Sequence, residues 1–324
     1  MADRPSIRLV TSAGAKEGRG HISRTVTLAE AVQKAGASVR VELLRGELSD
    51  RDRARLVAIA ADTRPRDSVV DDAVLVDLPD PNEIGGRWPV SRLAIFDDSN
   101  LLTNPAAVVI QPSLARWSGS TMARRILEGY AFAPIRSTIR RLAAQRLAET
   151  VPPQVLVCFG GSDPWDLGAR VAPAVAGAGS WSTVAILGTG YQGRLRETDE
   201  GSGASLRVLR DPLDLDRRLA TAAVAVTGAG TMKFELAVLG RPAILVAAAD
   251  DQLPIGAPFA ATGAARFLGD GRALDPAAIG EVVAALMADE PARIAMASRG
   301  RAVVDGQGAD RIASAVVELA RSQA

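Results

Sequence analysis

Residue 21 is the single histidine of this 324-residue chain. It stands in KEGRGHISRTVTLAEAV, residues 16 to 32, behind Gly18 and Gly20 at the mouth of a helical pattern. Glycines at 14, 18 and 20 let the backbone take positive φ and approach a ligand closely, while the first N–H groups of a helix have no partner within it. Such a place favours anions and polar ligands. An imidazole that titrates near neutral pH is the usual general base. Two readings of His21 stand: a helix N-terminal residue bonded only locally, or a base facing the crevice where open α/β sheets bind ligands. A metal site is disfavoured, because no second histidine exists and the one cysteine, Cys158, lies inside an apolar strand-like run.

Three loops in the second half carry the other candidate chemistry, each at the C-terminal end of a strand pattern. CFGGSDPWD places Gly160, Gly161 and Ser162 after residues 155 to 159, with Ser162 and Asp163 as capping types ahead of Pro164. TGAGTMKFE places Gly228, Gly230 and Thr231 before a helix, where exposed N–H groups and the Thr231 hydroxyl can hold a diphosphate. Glu235, one turn on, is of the type that accepts a ribose diol; an ordinary strand-turn-helix with an exposed glutamate is the alternative. AAADDQLP supplies Asp250, Asp251 and Gln252. No Walker loop occurs, so a nucleotide here is a diphosphate handle rather than a phosphoryl donor.

Gly18 to Ser23 nearly matches a dinucleotide fingerprint, with Glu42 at the distance of a ribose-binding acid. The match is deceptive. In that fingerprint the first glycine turns directly after the strand, and here several residues intervene.

These loops need β-α units to position them, and both halves of the chain supply them. Residues 7 to 10, 39 to 44, 73 to 78, 93 to 96 and 107 to 110 read as buried strands, and residues 22 to 35 as a helix with one apolar face. The second half repeats the pattern at 155 to 159, 183 to 187, 206 to 209, 223 to 227 and 243 to 248. Helices follow at about 275 to 288, 291 to 304 and 309 to 322. The boundary is expected near residue 150, where a helical segment runs into Pro152 and Pro153, giving domains 1 to 150 and 151 to 324. The acidic, glycine-rich stretch 197 to 205 reads as an exposed loop. Asp97 and Asp98, after the fourth strand, either line a cleft or cap structure. ARWSGSTMARRIL, 115 to 127, reads as a solvated helix face or as a basic-apolar patch for a lipid-linked acceptor.

Bulk properties narrow the partners. Lys plus Arg is 38 against 37 Asp plus Glu, so no net field draws polyanions and nucleic acid is not an expected partner. One cysteine forms no internal disulfide, which fits a cytoplasmic protein. No stretch is long and apolar enough for stable membrane insertion, and no secretory leader is read at the N-terminus. The 48% apolar content suffices for two sizeable cores.

Taken together, GRGHISRTVTLAEAV, CFGGSDP, TGAGTMKFELAVLGRPAILVAAADDQ and DGQGADRI (305 to 312) resemble the UDP-sugar hydrolases of the pseudaminic-acid pathway. FDDSNLLTNPAAVVIQ and GYAFAPIR (129 to 136) are similar to that family's first-lobe motifs. These hydrolases belong with the glycosyltransferases that make the lipid-linked peptidoglycan disaccharide and with spore-coat polysaccharide enzymes. The resemblance spans most of the chain, with the motifs in the family's order. It implies an α/β GT-B fold, two Rossmann-like domains with parallel sheets facing a cleft, UDP held mainly by the second, and a final helix returning to the first. It also implies that Gly228 to Thr231 bind phosphate, Glu235 binds ribose, Asp251 and Gln252 contact the sugar, and His21 activates water. Two positions depart from the family: Asp251 stands where asparagine is usual, and Pro79 where the third strand's Asp-x-Tyr has its tyrosine, Asp77 being kept.

The expected function is therefore a metal-independent, cofactor-free UDP-sugar hydrolase. UDP leaves the anomeric carbon with inversion, and His21 is the catalytic base. A diphosphate departs as a stabilised anion and needs no general acid, so no pair of catalytic carboxylates is required. The expected substrate-binding residues are Gly18, Gly20, Arg24, Gly160, Gly161, Ser162, Gly228, Gly230, Thr231, Glu235, Asp251 and Gln252. An inverting glycosyltransferase with the same donor site is the alternative, and a non-catalytic nucleotide-sugar-binding protein the second.

Overall fold

The computed structural model describes residues 4–13, 20–59, 61–62, 71–98, 100–114, 116–119, 122–198 and 205–322. The chain forms two compact units, Met1–Ile135 with Gly306–Ala324, and Arg136–Asp305.

In the first unit, six strands form one parallel sheet: β1 (Ser6–Ala13), β2 (Ser38–Gly46), β3 (Ala73–Asp77), β4 (Leu93–Phe96), β5 (Ala106–Gln111) and β6 (Ala123–Glu128). Their order is β2-β1-β3-β4-β5-β6. Burial on both faces explains why β3, β4 and β5 read as unbroken apolar runs rather than alternating ones. Helix α1 (Gly20–Lys34) follows β1, and helix α2 (Asp50–Ala58) follows β2 and is capped by Ser49, whose Oγ accepts from the Asp52 amide. Ile22, Val26, Ala29 and Val32 line the buried face of α1. The stretch read as a helix face at 115 to 127 ends instead in β6. Arg124 and Arg125 are exposed on this strand, which among the described residues pairs only with β5; charged residues on such an edge hide its strand signal.

Six further strands make the parallel sheet of the second unit: β7 (Gln154–Cys158), β8 (Ser182–Leu187), β9 (Leu206–Arg210), β10 (Val224–Gly228), β11 (Ala243–Ala247) and β12 (Arg266–Asp270). They run in the order β12-β11-β10-β7-β8-β9. Its helices are α3 (Ser137–Gln145), α4 (Leu167–Gly177), α5 (Leu215–Thr221), α6 (Met232–Leu239), α7 (Leu253–Ala261), α8 (Pro276–Ala288) and α9 (Glu290–Val303). Helix α3 packs on α5 and α6 and buries Ile139, so the units divide at Ile135/Arg136 rather than near residue 150. Helix α10 (Gly308–Arg321) belongs to the first unit, where Ile312, Val316 and Val317 share a core with Ile22 and Val26 of α1.

Each sheet has one switch point, where successive connections leave in opposite directions. It lies between β1 and β3 in the first sheet and between β7 and β10 in the second. Open parallel sheets bind ligands beyond the carboxyl ends of the strands at such points.

Candidate functional site

Two groups of residues stand at these switch points, one in each unit. In the first unit, α1 leaves the β1 end with His21 and Arg24 three residues apart on one face, and β3 ends in Asp77. Nδ1 of His21 lies 2.7 Å from Oδ1 of Asp77. Arg24 grips the same carboxylate with two donors: Nε donates to Oδ2 at 2.7 Å and Nη2 to Oδ1. Its Nη1 donates to Asp98 at 2.6 Å, and Ser113 Oγ donates to the other Asp98 oxygen at 2.7 Å. The Arg24 guanidinium also stacks 4.2 Å over the Phe96 ring.

Burial by itself raises the Asp77 carboxyl, but the charges of Arg24 and His21 and their hydrogen bonds outweigh it and hold the group at about 2. Asp77 is thus an ionised, accept-only group beneath an imidazole whose side chain keeps 20% exposure. Arg24, expected among the substrate-binding residues, is itself buried and engaged by two carboxylates. Gly20 begins α1 with open space where a Cβ would stand. Gly18 lies outside the described residues. Asp97 is structural: its buried carboxylate accepts from Trp117 Nε1 at 2.7 Å and from the Leu101 amide at 2.8 Å. Glu42, the acid of the dinucleotide reading, pairs with Arg8 at 2.6 Å and Arg87 at 2.7 Å.

The second unit assembles its group from the ends of β7, β10 and β11. Gly228 closes β10, and Gly230 and Thr231 lead into α6. The Gln252 side chain lies over this turn. Its Oε1 accepts from the Ala248 amide at 3.1 Å, and a Cβ placed on Gly228 would stand 2.9 Å from that oxygen. The loops following β10 and β11 therefore meet. Thr231 is exposed, and the first amides of α6 precede its internal hydrogen bonding. Asp251 is exposed beside Gln252.

After β7, Gly160 takes φ 86°, and the Gly161 carbonyl accepts from the Gly190 amide at 3.0 Å. Ser162 is half-buried there. The Asp163 carboxylate caps the chain entering α4, accepting from the amides of Leu167 at 2.9 Å and Gly168 at 2.7 Å. Burial pushes the Asp163 carboxyl up to about 6 and the Cys158 thiol up to about 11.

Two residues of this group were not singled out from sequence. Arg136 meets Glu235 with a two-pronged contact, Nε to Oε1 at 2.5 Å and Nη2 to Oε2 at 2.8 Å, while Nη1 donates to Asp216 at 2.6 Å. Lys233 is buried behind the glycine turn, donating to the Ala229 carbonyl at 2.6 Å, with its ammonium 4.4 Å from the Phe234 ring centre. The only sequence sign of the first was its place at the end of GYAFAPIR; its carboxylate partner lies 99 positions later. A buried lysine in TMKFE leaves no mark in composition.

Among the described residues, no group of three or more His, Cys, Asp or Glu stands close enough to hold a metal ion, and no helix is long and apolar enough to cross a membrane.

No protein-family model matches the chain. A UDP-N-acetylglucosamine–N-acetylmuramyl-(pentapeptide) pyrophosphoryl-undecaprenol N-acetylglucosamine transferase from Rhodopseudomonas palustris is 34% identical over 211 residues, 58% of this chain and 53% of the relative. The spore coat polysaccharide biosynthesis protein SpsG of Bacillus subtilis is 25% identical over 170 residues, 51% of this chain and 50% of the relative. The chain spans about half the length of these curated relatives.

Solved structures match over nearly the whole chain. The glycotransferase of kitacinnamycin superposes with a TM-score of 0.66 at 14% identity, covering 98% of this chain and 99% of its own. MurG of Acinetobacter baumannii gives 0.62 at 15%, covering 97% and 100%. Glycosyltransferase VinC, solved in complex with DTDP, gives 0.59 at 15%, covering 97% and 100%. The fold is the α/β GT-B glycosyltransferase fold, with two six-stranded parallel sheets.

Proposed function

We propose that this chain is a glycosyltransferase of polysaccharide biosynthesis that takes the sugar from a UDP-sugar with inversion, using His21 as general base. The observation that carries the reading is the contact of His21 with Asp77 at the first sheet's switch point. An ionised Asp77 can only accept, so Nδ1 of His21 holds the proton and Nε2 keeps the lone pair that receives one. A hydroxyl losing its proton to Nε2 becomes the nucleophile at the anomeric carbon. Asp77 fixes the tautomer and stabilises the imidazolium as it forms. Arg24, which touches Asp77 and Asp98, is a positioning residue.

The leaving diphosphate is received at the N-terminus of α6 and by the exposed Thr231, with Gly228 and Gly230 admitting it close to the backbone. Glu235 takes the ribose and Gln252 the sugar. Such a leaving group needs no proton, which is why one base is enough.

A hydroxyl acceptor is preferred to water because one curated relative, the N-acetylglucosamine transferase, and two of the structural neighbours, the glycotransferase of kitacinnamycin and glycosyltransferase VinC, carry the names of transferases. The hydrolase expected from the sequence motifs is the same displacement with water as acceptor. Incubation with a panel of UDP-sugars, with and without alcohol acceptors, tests the reading. UDP release that requires an acceptor is the expected result. Release at the same rate in buffer alone makes the protein a hydrolase. UDP binding without turnover under any condition makes it a binding protein and removes His21 from chemistry.

A further inference from the structure

The carboxylate assigned to the ribose is already held on both oxygens. Nε and Nη2 of Arg136 donate to Oε1 and Oε2 of Glu235 as two parallel bonds, the fork-to-fork geometry that joins a guanidinium to a carboxylate. Arg136 is fixed in turn by Asp216, which accepts from Nη1 at 2.6 Å and from Thr138 Oγ1 at 2.5 Å. Both partners of the fork are largely buried, with the Arg136 side chain 15% and the Glu235 side chain 12% exposed. All of these residues lie in the second unit.

A carboxylate offers about four lone pairs, two per oxygen. On each oxygen one points inward toward its partner oxygen's side, and one points away. A guanidinium fork occupies the inward pair. A vicinal diol that donates one O–H to each oxygen needs that same pair. The lone pairs left on Glu235 diverge, so a ribose can donate only one hydroxyl to it.

Resting on the donor-site reading above, we propose that Arg136 sets the nucleotide specificity of this site: by filling the chelating side of Glu235 it leaves the ribose 2′-hydroxyl unread, so ribo- and 2′-deoxyribonucleoside diphosphate sugars are both donors. The 3′-hydroxyl, common to both, is the one that Glu235 accepts. Discrimination then falls to the base, the diphosphate and the sugar.

Calorimetric titration of the full chain with UDP and with 2′-deoxy-UDP tests this. The expected affinities agree within about threefold, whereas a hydroxyl donating to a carboxylate is worth roughly tenfold or more. Arg136→Met, which frees the inward side of Glu235, should raise the preference for UDP to about tenfold. Arg136→Lys, with a single point of contact in place of a fork, should fall between. If wild type binds UDP at least tenfold more tightly than 2′-deoxy-UDP, the inference fails and the donor-site reading survives. If wild type binds neither, both fail. A folded Arg136→Met protein that still binds the two alike removes Arg136 from specificity and overturns the proposal.

Discussion

The ring of His21 and the carboxylate of Asp77 meet 2.7 Å apart across 56 positions of sequence, one on the helix after the first strand and the other at the end of the third. That contact separates the roles of the two residues. His21→Ala should lower kcat by roughly 10²- to 10⁴-fold with little change in UDP affinity, since it removes only the proposed base. Asp77→Asn should cost a similar factor by releasing the tautomer and orientation of the ring. Turnover and UDP titration on the same preparations check both. Unchanged kcat in His21→Ala would exclude the imidazole from the reaction.

Asp77 also makes acid stability legible. Its folded value, about 2, lies below the ordinary 3.8, so the stabilisation is complete above about pH 4 and is lost as pH falls through 2. The amount is on the order of 2 kcal/mol. Urea denaturation between pH 2 and 6 should show the wild type losing stability over the acid end of that range, with a shallower loss in Asp77→Asn.

Asp163 behaves in the opposite sense. Its carboxyl is raised to about 6, so the folded protein keeps a proton that the unfolded chain releases near 3.8. Stability from this group is present below about pH 4 and declines as pH rises through 6. Asp163→Asn does not titrate, and asparagine suits the positive φ of 43° at this position. The difference in unfolding free energy between wild type and Asp163→Asn should therefore slope between pH 4 and 6 and level off above it.

Gly228→Ala tests the turn before α6 without threatening the fold. The added Cβ would stand 2.9 Å from Gln252 Oε1 and 3.4 Å from the Ala248 Cβ. The near atom is the end of a flexible side chain, so Gln252 moves aside and loses its bond from the Ala248 amide. UDP-sugar affinity should fall roughly tenfold, in line with one lost hydrogen bond, while thermal stability stays within about 1 kcal/mol of wild type. Equal donor affinity would place Gln252 outside the site.

The strands were legible because buried parallel strands are written as short apolar runs between turn residues, as at Ala73–Asp77 and Ala243–Ala247. Their limits were less so. The sheet end formed by Ala123–Glu128 carries two exposed arginines and reads as a surface helix, and Arg266–Asp270 has no residue buried enough to mark it. His21 was found because it is unique and stands behind glycines. Its partner was not paired with it, because register between β1 and β3, which sets Thr11 beside Asp77, is a property of the folded sheet. The Arg136 and Glu235 pair is hidden for the same reason, and Arg24 changes from a candidate ligand contact to a buried support once its carboxylates are seen.

Helix α10 completes the core of the first unit although it is encoded after the whole of the second. On the ribosome the second unit, continuous from Arg136 to Asp305, can close as soon as its own residues emerge. The first must wait with the floor under Ile22 and Val26 open until Ile312 and Val316 arrive. The core that seats the helix carrying the imidazole is thus complete only once α10, encoded after the strands of both sheets, has been made.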